Sequence, residues 1–180
     1  MEHFILETQR FLLDSFIESD KVYIIEYCNN SNVNKFLYKL PYPYTFEDAV
    51  FYLNQVSQNW KKGNILTWAI RDKKTNKFIG TAEIRKDLFQ DSLGLWICSE
   101  FQNKGVGYEI LSEIIKWSKN NHYTKDNIIY YSHPEGNINS GKLALKLGFK
   151  FDAIYNSSNY IKSNLFDRQG EYFNYYVYIL

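Results

Sequence analysis

The stretch from Leu93 to Lys119 constrains the chain more than any other. An apolar run of strand length, Leu93 to Cys98, leads into Gln102-Asn-Lys-Gly-Val-Gly-Tyr108. Beyond it Val106, Ile110, Leu111, Ile114 and Ile115 recur at helical spacing. Gly105 and Gly107 lie between that strand and that helix, where glycine opens backbone conformations closed to other residues and lets a ligand approach closely. A helix start also offers N–H groups without intrahelical acceptors and the positive end of a dipole, a setting that suits a pyrophosphate. Lys104 adds a cation. The plainer alternative is a strand-to-helix turn with glycines for steric reasons. The pattern Gln/Arg-x-x-Gly-x-Gly/Ala arises by chance at about 0.001 per position, so a chain of this length needs a second element to support it. It is not a P-loop, because no Gly-Lys-Ser/Thr follows, and it lacks the third glycine of a dinucleotide fingerprint.

The surrounding pattern is that of one α/β domain over residues 1–180, with no repeat and no Pro/Gly-rich linker. Arg10 to Phe16 reads as a strand. Ser19 or Asp20 caps a helix carrying Val22, Ile25 and Tyr27, and a loop follows at Asn29 to Asn34. Pro41 and Pro43 break the chain. Thr45, with Asp48 three residues on, opens a helix with Val50, Leu53, Val56 and Trp60 on one face, ended by Gly63. Leu66–Asp72, Phe78–Arg85 and Leu93–Cys98 read as strands, as do Asn127–Ser132, Phe149–Tyr155 and Tyr172–Leu180. Asn137 or Asn139 caps the helix that ends at Leu147-Gly148. The order is β-α-α-β-β-β-α-β-α-β-β.

Composition excludes several classes. A net charge of +1 provides no global field for nucleic acid or an anionic membrane. Two cysteines, Cys28 and Cys98, are too few for a disulfide scaffold and have no zinc-like spacing with His3, His122 or His133. No apolar run reaches the roughly 18 residues of a membrane span. The N-terminus has no signal-peptide pattern, so a cytoplasmic location is expected. The 16 Tyr and 13 Phe predict an aromatic-rich core or an aromatic-lined pocket.

A second element stands downstream: Asn137-Ile-Asn-Ser140, then Lys146-Leu-Gly-Phe149. With Gln102, Gly105 and Gly107 it resembles the two cofactor motifs of the GNAT superfamily of N-acetyltransferases. Thr8-Gln-Arg-Phe-Leu-Leu13, Pro41-Tyr-Pro-Tyr-Thr-Phe-Glu-Asp-Ala49, Trp68-Ala-Ile70, Ile79-Gly80 and Leu93-Gly-Leu-Trp96 look like its RimJ/RimL-like branch. That branch acetylates protein N-termini and diverse small amines.

The resemblance implies the GNAT fold: a mixed, mostly antiparallel twisted sheet of about seven strands flanked by about four helices, with a splayed cofactor-binding strand pair. It implies acetyl-CoA as donor, an amine acceptor, no metal, and a monomer or homodimer. It places coenzyme A on Ile97, Cys98, Gln102, Asn103, Lys104, Gly105, Val106, Gly107, Tyr108, Asn137 and Ser140. The first motif's amides wrap the pyrophosphate and the strand holds the pantetheine. The chain departs from the family at two points. Ala144 stands where many relatives have a thiolate-protonating Tyr. RimL-type enzymes instead place a Ser at the position of Ser140, so the resemblance implies Ser140 as the donor, with helix capping as its plainer role. Ser92 stands where several N-terminal acetyltransferases have a Glu base. Asp91 is adjacent but aimed at the other face by strand alternation, and Glu83 on the neighbouring strand is the alternative. Either carboxylate can be a solvated charge only, and a water can serve as base. A covalent acetyl-Cys98 is disfavoured, since a thiol on a buried strand is usually inert. Transfer would be direct, in a ternary complex. The rival from another class is a non-catalytic acyl-CoA-binding module. Acceptor choice is expected to lie in residues 29–44 and 156–171.

Overall fold

Among the described residues, antiparallel pairing accounts for all but one of the strand pairings. The computed structural model describes residues 4–37, 40–86, 91–156 and 174–180. Its strands are β1 (Leu6–Glu7), β2 (Phe11–Asp14), β3 (Ile65–Asp72), β4 (Phe78–Arg85), β5 (Leu93–Ile97), β6 (Tyr130–Pro134), β7 (Lys150–Asn156) and β8 (Asn174–Ile179). The helices are α1 (Asp20–Cys28), α2 (Ser31–Asn34), α3 (Phe46–Lys62), α4 (Val106–Asn120) and α5 (Ile138–Lys146). The sheet order is β1-β2-β3-β4-β5-β6-β8-β7, with β5 and β6 the parallel pair. This is the expected mixed GNAT-type architecture, with eight strands and five α-helices among the described residues where about seven and four were anticipated.

The local chemistry explains most boundaries. Thr45 and Asp48 form a capping box at the start of α3, and Gly63 ends it in the left-handed region at φ 67°. The helix α4 buries Val106, Ile110, Leu111, Ile114 and Ile115. It lies with α5 on one face of the sheet, while α1 and α3 cover the other. The first helix is rotated from its expected setting: Val22 is exposed and Ile24, Tyr27 and Cys28 are buried. The cause is electrostatic. Asp20 is drawn inside to Arg71, whose guanidinium donates to both its oxygens at 2.9 and 2.8 Å and to Asp14 at 2.9 Å. Ser19 makes no side-chain cap; the Asp20 carboxylate accepts from the Ile17 amide instead.

The last three strands differ most from the sequence expectation. β6 runs Tyr130–Pro134, three residues later than the apolar run implied, with Pro134 as its final residue. The chain's last strand does not sit at the edge: β8 inserts between β6 and β7, pairing with both.

Candidate active site

The site is a fork in the sheet. β5 and β6 meet at one register pair, Leu93 opposite Tyr131. The apex is tied by the Ser92 amide bonding to the Tyr130 carbonyl at 3.1 Å and the Tyr130 amide to the Ser92 hydroxyl at 3.0 Å. Beyond the apex the strands part toward their C-terminal ends. Parallel strands pair less strongly than antiparallel ones, and each here is held firmly on its far side, β5 by β4 and β6 by β8. The ladder between β4 and β5 decides which backbone groups line the opening. Arg85 and Cys98 donate to Ser92 and Ile79 across it, so Leu93, Leu95 and Ile97 direct their N–H and C=O toward β6.

One expectation is corrected by this ladder. Cys98 was paired with Ile97 as a supplier of strand amides, but its N–H donates to Ile79 at 2.8 Å. Its side chain is buried, and burial pushes the thiol above its ordinary range. Leu95, one pleat nearer the apex and within the strand expected to hold the pantetheine, turns its backbone groups to the same side as Ile97.

The glycine loop follows at the mouth of the fork. Gln102 folds back and donates from its side-chain amide to the Ile97 carbonyl at 2.8 Å, fixing the loop on the end of β5. Asn103 takes positive φ at 59° and Gly105 sits in the left-handed region at φ 75°, as the N-cap of α4. The first intrahelical bond is from Glu109 to Gly105, so the amides of Val106, Gly107 and Tyr108 lie ahead of any intrahelical acceptor. The Val106 side chain is core, Lys104 lies over the Phe101 ring, and Tyr108 is exposed under the Lys146 ammonium. Gly107 has a packing reason for its size: a Cβ there would stand 3.0 Å from Leu143 and 3.1 Å from Leu95.

The two motifs meet in space. The Asn139 amide donates to the Asn103 side chain at 3.3 Å, Lys146 covers Tyr108, and Leu143 approaches Gly107. Asn137 is the N-cap of α5, its side-chain oxygen accepting from the Ser140 amide at 3.3 Å. The Ser140 hydroxyl lies 2.6 Å from the Tyr131 hydroxyl at the fork's apex. Ala144 is fully buried.

Across the sheet, on the α1/α3 face, Glu83 is held on both oxygens, accepting from Thr67 at 3.1 Å and ion-paired to Arg85. Arg85 also pairs with Asp91 at 2.9 Å, and Asp91 accepts from Ser132 of β6 at 2.9 Å. Asp91 therefore joins Glu83's own cluster rather than the opposite face, because it precedes β5 and strand alternation does not govern it. Sequence reasoning also missed Arg10. Its amide and guanidinium hold Glu109 at 2.8 and 2.6 Å, and its guanidinium reaches the Lys104 carbonyl at 3.1 Å, bracing the loop from β2. An acidic residue in a helix's first turn was the available signal.

The model of the acetyltransferase (GNAT) domain matches residues 10–150. The chain belongs to the GNAT acetyltransferase family. No curated protein is matched by the sequence. Solved structures agree over nearly the full length. A ribosomal-protein-S5-alanine acetyltransferase from Vibrio fischeri gives a TM-score of 0.75 at 20% identity, covering 98% of this chain and 96% of that one. The acetyltransferase from Salmonella typhimurium that modifies the N-terminal serine of ribosomal protein L7/L12 gives 0.76 at 14% identity, covering 98% of each chain. The microcin C7 self-immunity acetyltransferase MccE, solved with acetyl-CoA and AMP, gives 0.74 at 16%, covering 96% and 92%. Identities this low establish agreement of fold. The MccE structure holds acetyl-CoA, and a RimL ribosomal L7/L12 acetyltransferase of the same fold was solved with coenzyme A. Among the described residues no group of three or more His, Cys, Asp or Glu could hold a metal, and no helix is long and apolar enough to cross a membrane.

Proposed function

We propose that this GNAT acetyltransferase moves the acetyl group of acetyl-CoA onto a primary amine by direct transfer in a ternary complex, with a protein N-terminus as the first acceptor to test. The observation that carries this is the fork between β5 and β6, with the glycine loop and the start of α5 at its mouth. Coenzyme A would lie with its pyrophosphate on the amides of residues 103–108 and its pantetheine along Leu95 and Ile97. Lys104 and the Asn137 side chain would flank it. Ser140 would donate a hydrogen bond to the departing sulfur. Glu83, fixed by Thr67 and Arg85, would order the amine or its water from the other face. Burial of Cys98, with its raised thiol, argues against a covalent acetyl-enzyme. The Vibrio fischeri and Salmonella proteins named above favour a peptide acceptor, whereas a small-molecule amine is the second reading. We further propose one domain, located in the cytoplasm. Of the segments expected to select the acceptor, 29–44 and 156–171, residues 38, 39 and 157–171 lie outside the described residues.

The test is calorimetric titration with acetyl-CoA, followed by thiol release with Ser- and Ala-initiated peptides, polyamines and aminoglycosides. Binding with turnover of one class supports the reading. Tight binding without turnover of any amine would favour the non-catalytic module. No binding of acetyl-CoA would overturn the site assignment.

A further inference from the structure

Tyr131 has been given no part in the proposed chemistry, yet it stands at the apex of the fork and against Ser140. It is the β6 residue opposite Leu93 at the apex of the fork. Its side chain is buried, packed against Phe149, and its hydroxyl lies 2.6 Å from Ser140 Oγ. That separation is short for a hydrogen bond between hydroxyls. Burial pushes the phenol up to about 12, so it stays protonated and its hydrogen needs an acceptor. A phenol is a stronger acid than an aliphatic alcohol, so Tyr131 is the donor and Ser140 Oγ the acceptor. Ser140 lies in the first turn of α5, its own amide already donating to the Asn137 side chain and carbonyl. With the Oγ lone pair taken by Tyr131, the serine's hydrogen is left to point elsewhere.

We propose that Tyr131 is a positioning residue for thiolate departure: it donates to Ser140 Oγ, and thereby turns the serine hydrogen toward the leaving sulfur at the fork's apex. The inference rests on the reading of Ser140 given under the proposed function. As the amine nitrogen bonds to the acetyl carbon, the carbon–sulfur bond breaks and its electron pair goes to sulfur. The sulfur leaves as a thiolate, hydrogen-bonded by Ser140. No proton passes from Tyr131 to sulfur, because the buried phenol is a weaker acid than a thiol of ordinary range near 8.5. The proton lost by the amine goes to water on the Glu83 side of the sheet. The titratable groups that act on Tyr131 are Asp91 and Tyr178, and these are engaged with Arg85 and His133 respectively.

Titration of the coenzyme A thiol in the bound complex tests this without an acceptor, read by the ultraviolet absorbance of the thiolate. In Tyr131→Phe the bound thiol pKa is expected to rise by about one unit, the tenfold worth of a hydrogen bond to a charged group. Ser140→Ala should raise it at least as much, and adding Tyr131→Phe to Ser140→Ala should raise it no further. Tyr131→fluorotyrosine, a stronger donor that keeps the ring, should lower it. Tyr131→Phe should also cut kcat about tenfold, with the KM for acetyl-CoA unchanged. A shift in Ser140→Ala but none in either Tyr131 variant would overturn the role of Tyr131 and leave Ser140 standing. No shift in any variant would overturn both. Additive shifts in the double variant would show that Tyr131 acts independently of Ser140 and would also overturn the proposal. Failure of the wild-type protein to bind coenzyme A would instead remove the cofactor reading beneath it.

Discussion

Gly80 and Asn137 are positions where a role in the fold can be separated from the role proposed in the site. Gly80 of β4 faces Ile97, and a Cβ at Gly80 would stand 2.2 Å from the Trp96 carbonyl oxygen. That neighbour is backbone and cannot swing aside. Gly80→Ala should therefore cost about 3 kcal/mol, the upper range for overpacking, in denaturant unfolding. By displacing β5 it should also weaken acetyl-CoA binding in calorimetry. An alanine variant as stable as wild type would mean that the two strands sit farther apart than described. Asn137→Ala should lose about 1 kcal/mol as a missing cap. If Asn137 also touches coenzyme A, affinity should drop further than in an Asn137→Ser variant, which keeps a capping oxygen. Equal affinities in the two variants would assign Asn137 to the cap alone.

At the scale of elements, the loop is braced where Arg10, just ahead of β2, meets Glu109 of α4. Burial raises the Glu109 carboxyl, but bonds from Thr8 and from the Arg10 amide and guanidinium outweigh it and hold the group below its ordinary range. A carboxylate with a depressed folded pKa stabilises above its unfolded value, and that stability is lost as pH falls through the folded one. The melting-temperature gap between wild type and Glu109→Gln should thus be constant above about pH 4.5 and close in more acid solution. A gap that persisted there would make the Arg10 contact non-electrostatic. The elements themselves were largely legible. Capping chemistry at Thr45 and Asn137 and the periodicity of α4 are local, so sequence carries them directly. What escaped depends on distant partners. The roll of α1 is set by Arg71, some fifty positions away. The engagement of the Cys98 amide is set by Ile79. The clamp on Glu109 comes from a residue 99 positions earlier.

For the molecule as a whole, the same contrast separates motif from geometry. Both motifs could be picked out by their resemblance to those of the family, but their meeting through Asn103 and Asn139 could not, because it depends on β6 lying beside β5 in the sheet. His133 is where that arrangement can be probed. It sits in β6 between the Tyr176 and Tyr178 rings of β8 and beneath Gly141 of α5, so three elements close on one imidazole. Nδ1 lies 2.9 Å from the Pro134 carbonyl, which only accepts, so Nδ1 carries the proton and Nε2 accepts from the Tyr178 hydroxyl at 3.3 Å. Burial lowers the imidazole's affinity for a second proton and outweighs the raising effect of the Pro134 carbonyl. The folded pKa thus lies below the unfolded value near 6.5. The neutral ring's contribution is complete above that value and is lost as pH falls through the folded pKa. His133→Phe keeps the ring stacking but cannot titrate. The wild type should therefore lose melting temperature faster than His133→Phe as the solution is acidified below about pH 6.5. Because His133 underlies α5, acetyl-CoA affinity should fall over the same interval in wild type and hold steadier in the variant. Parallel curves for the two proteins would mean that the imidazole takes its second proton without disturbing β6, β8 or α5, and that this end of the sheet is looser than its packing implies.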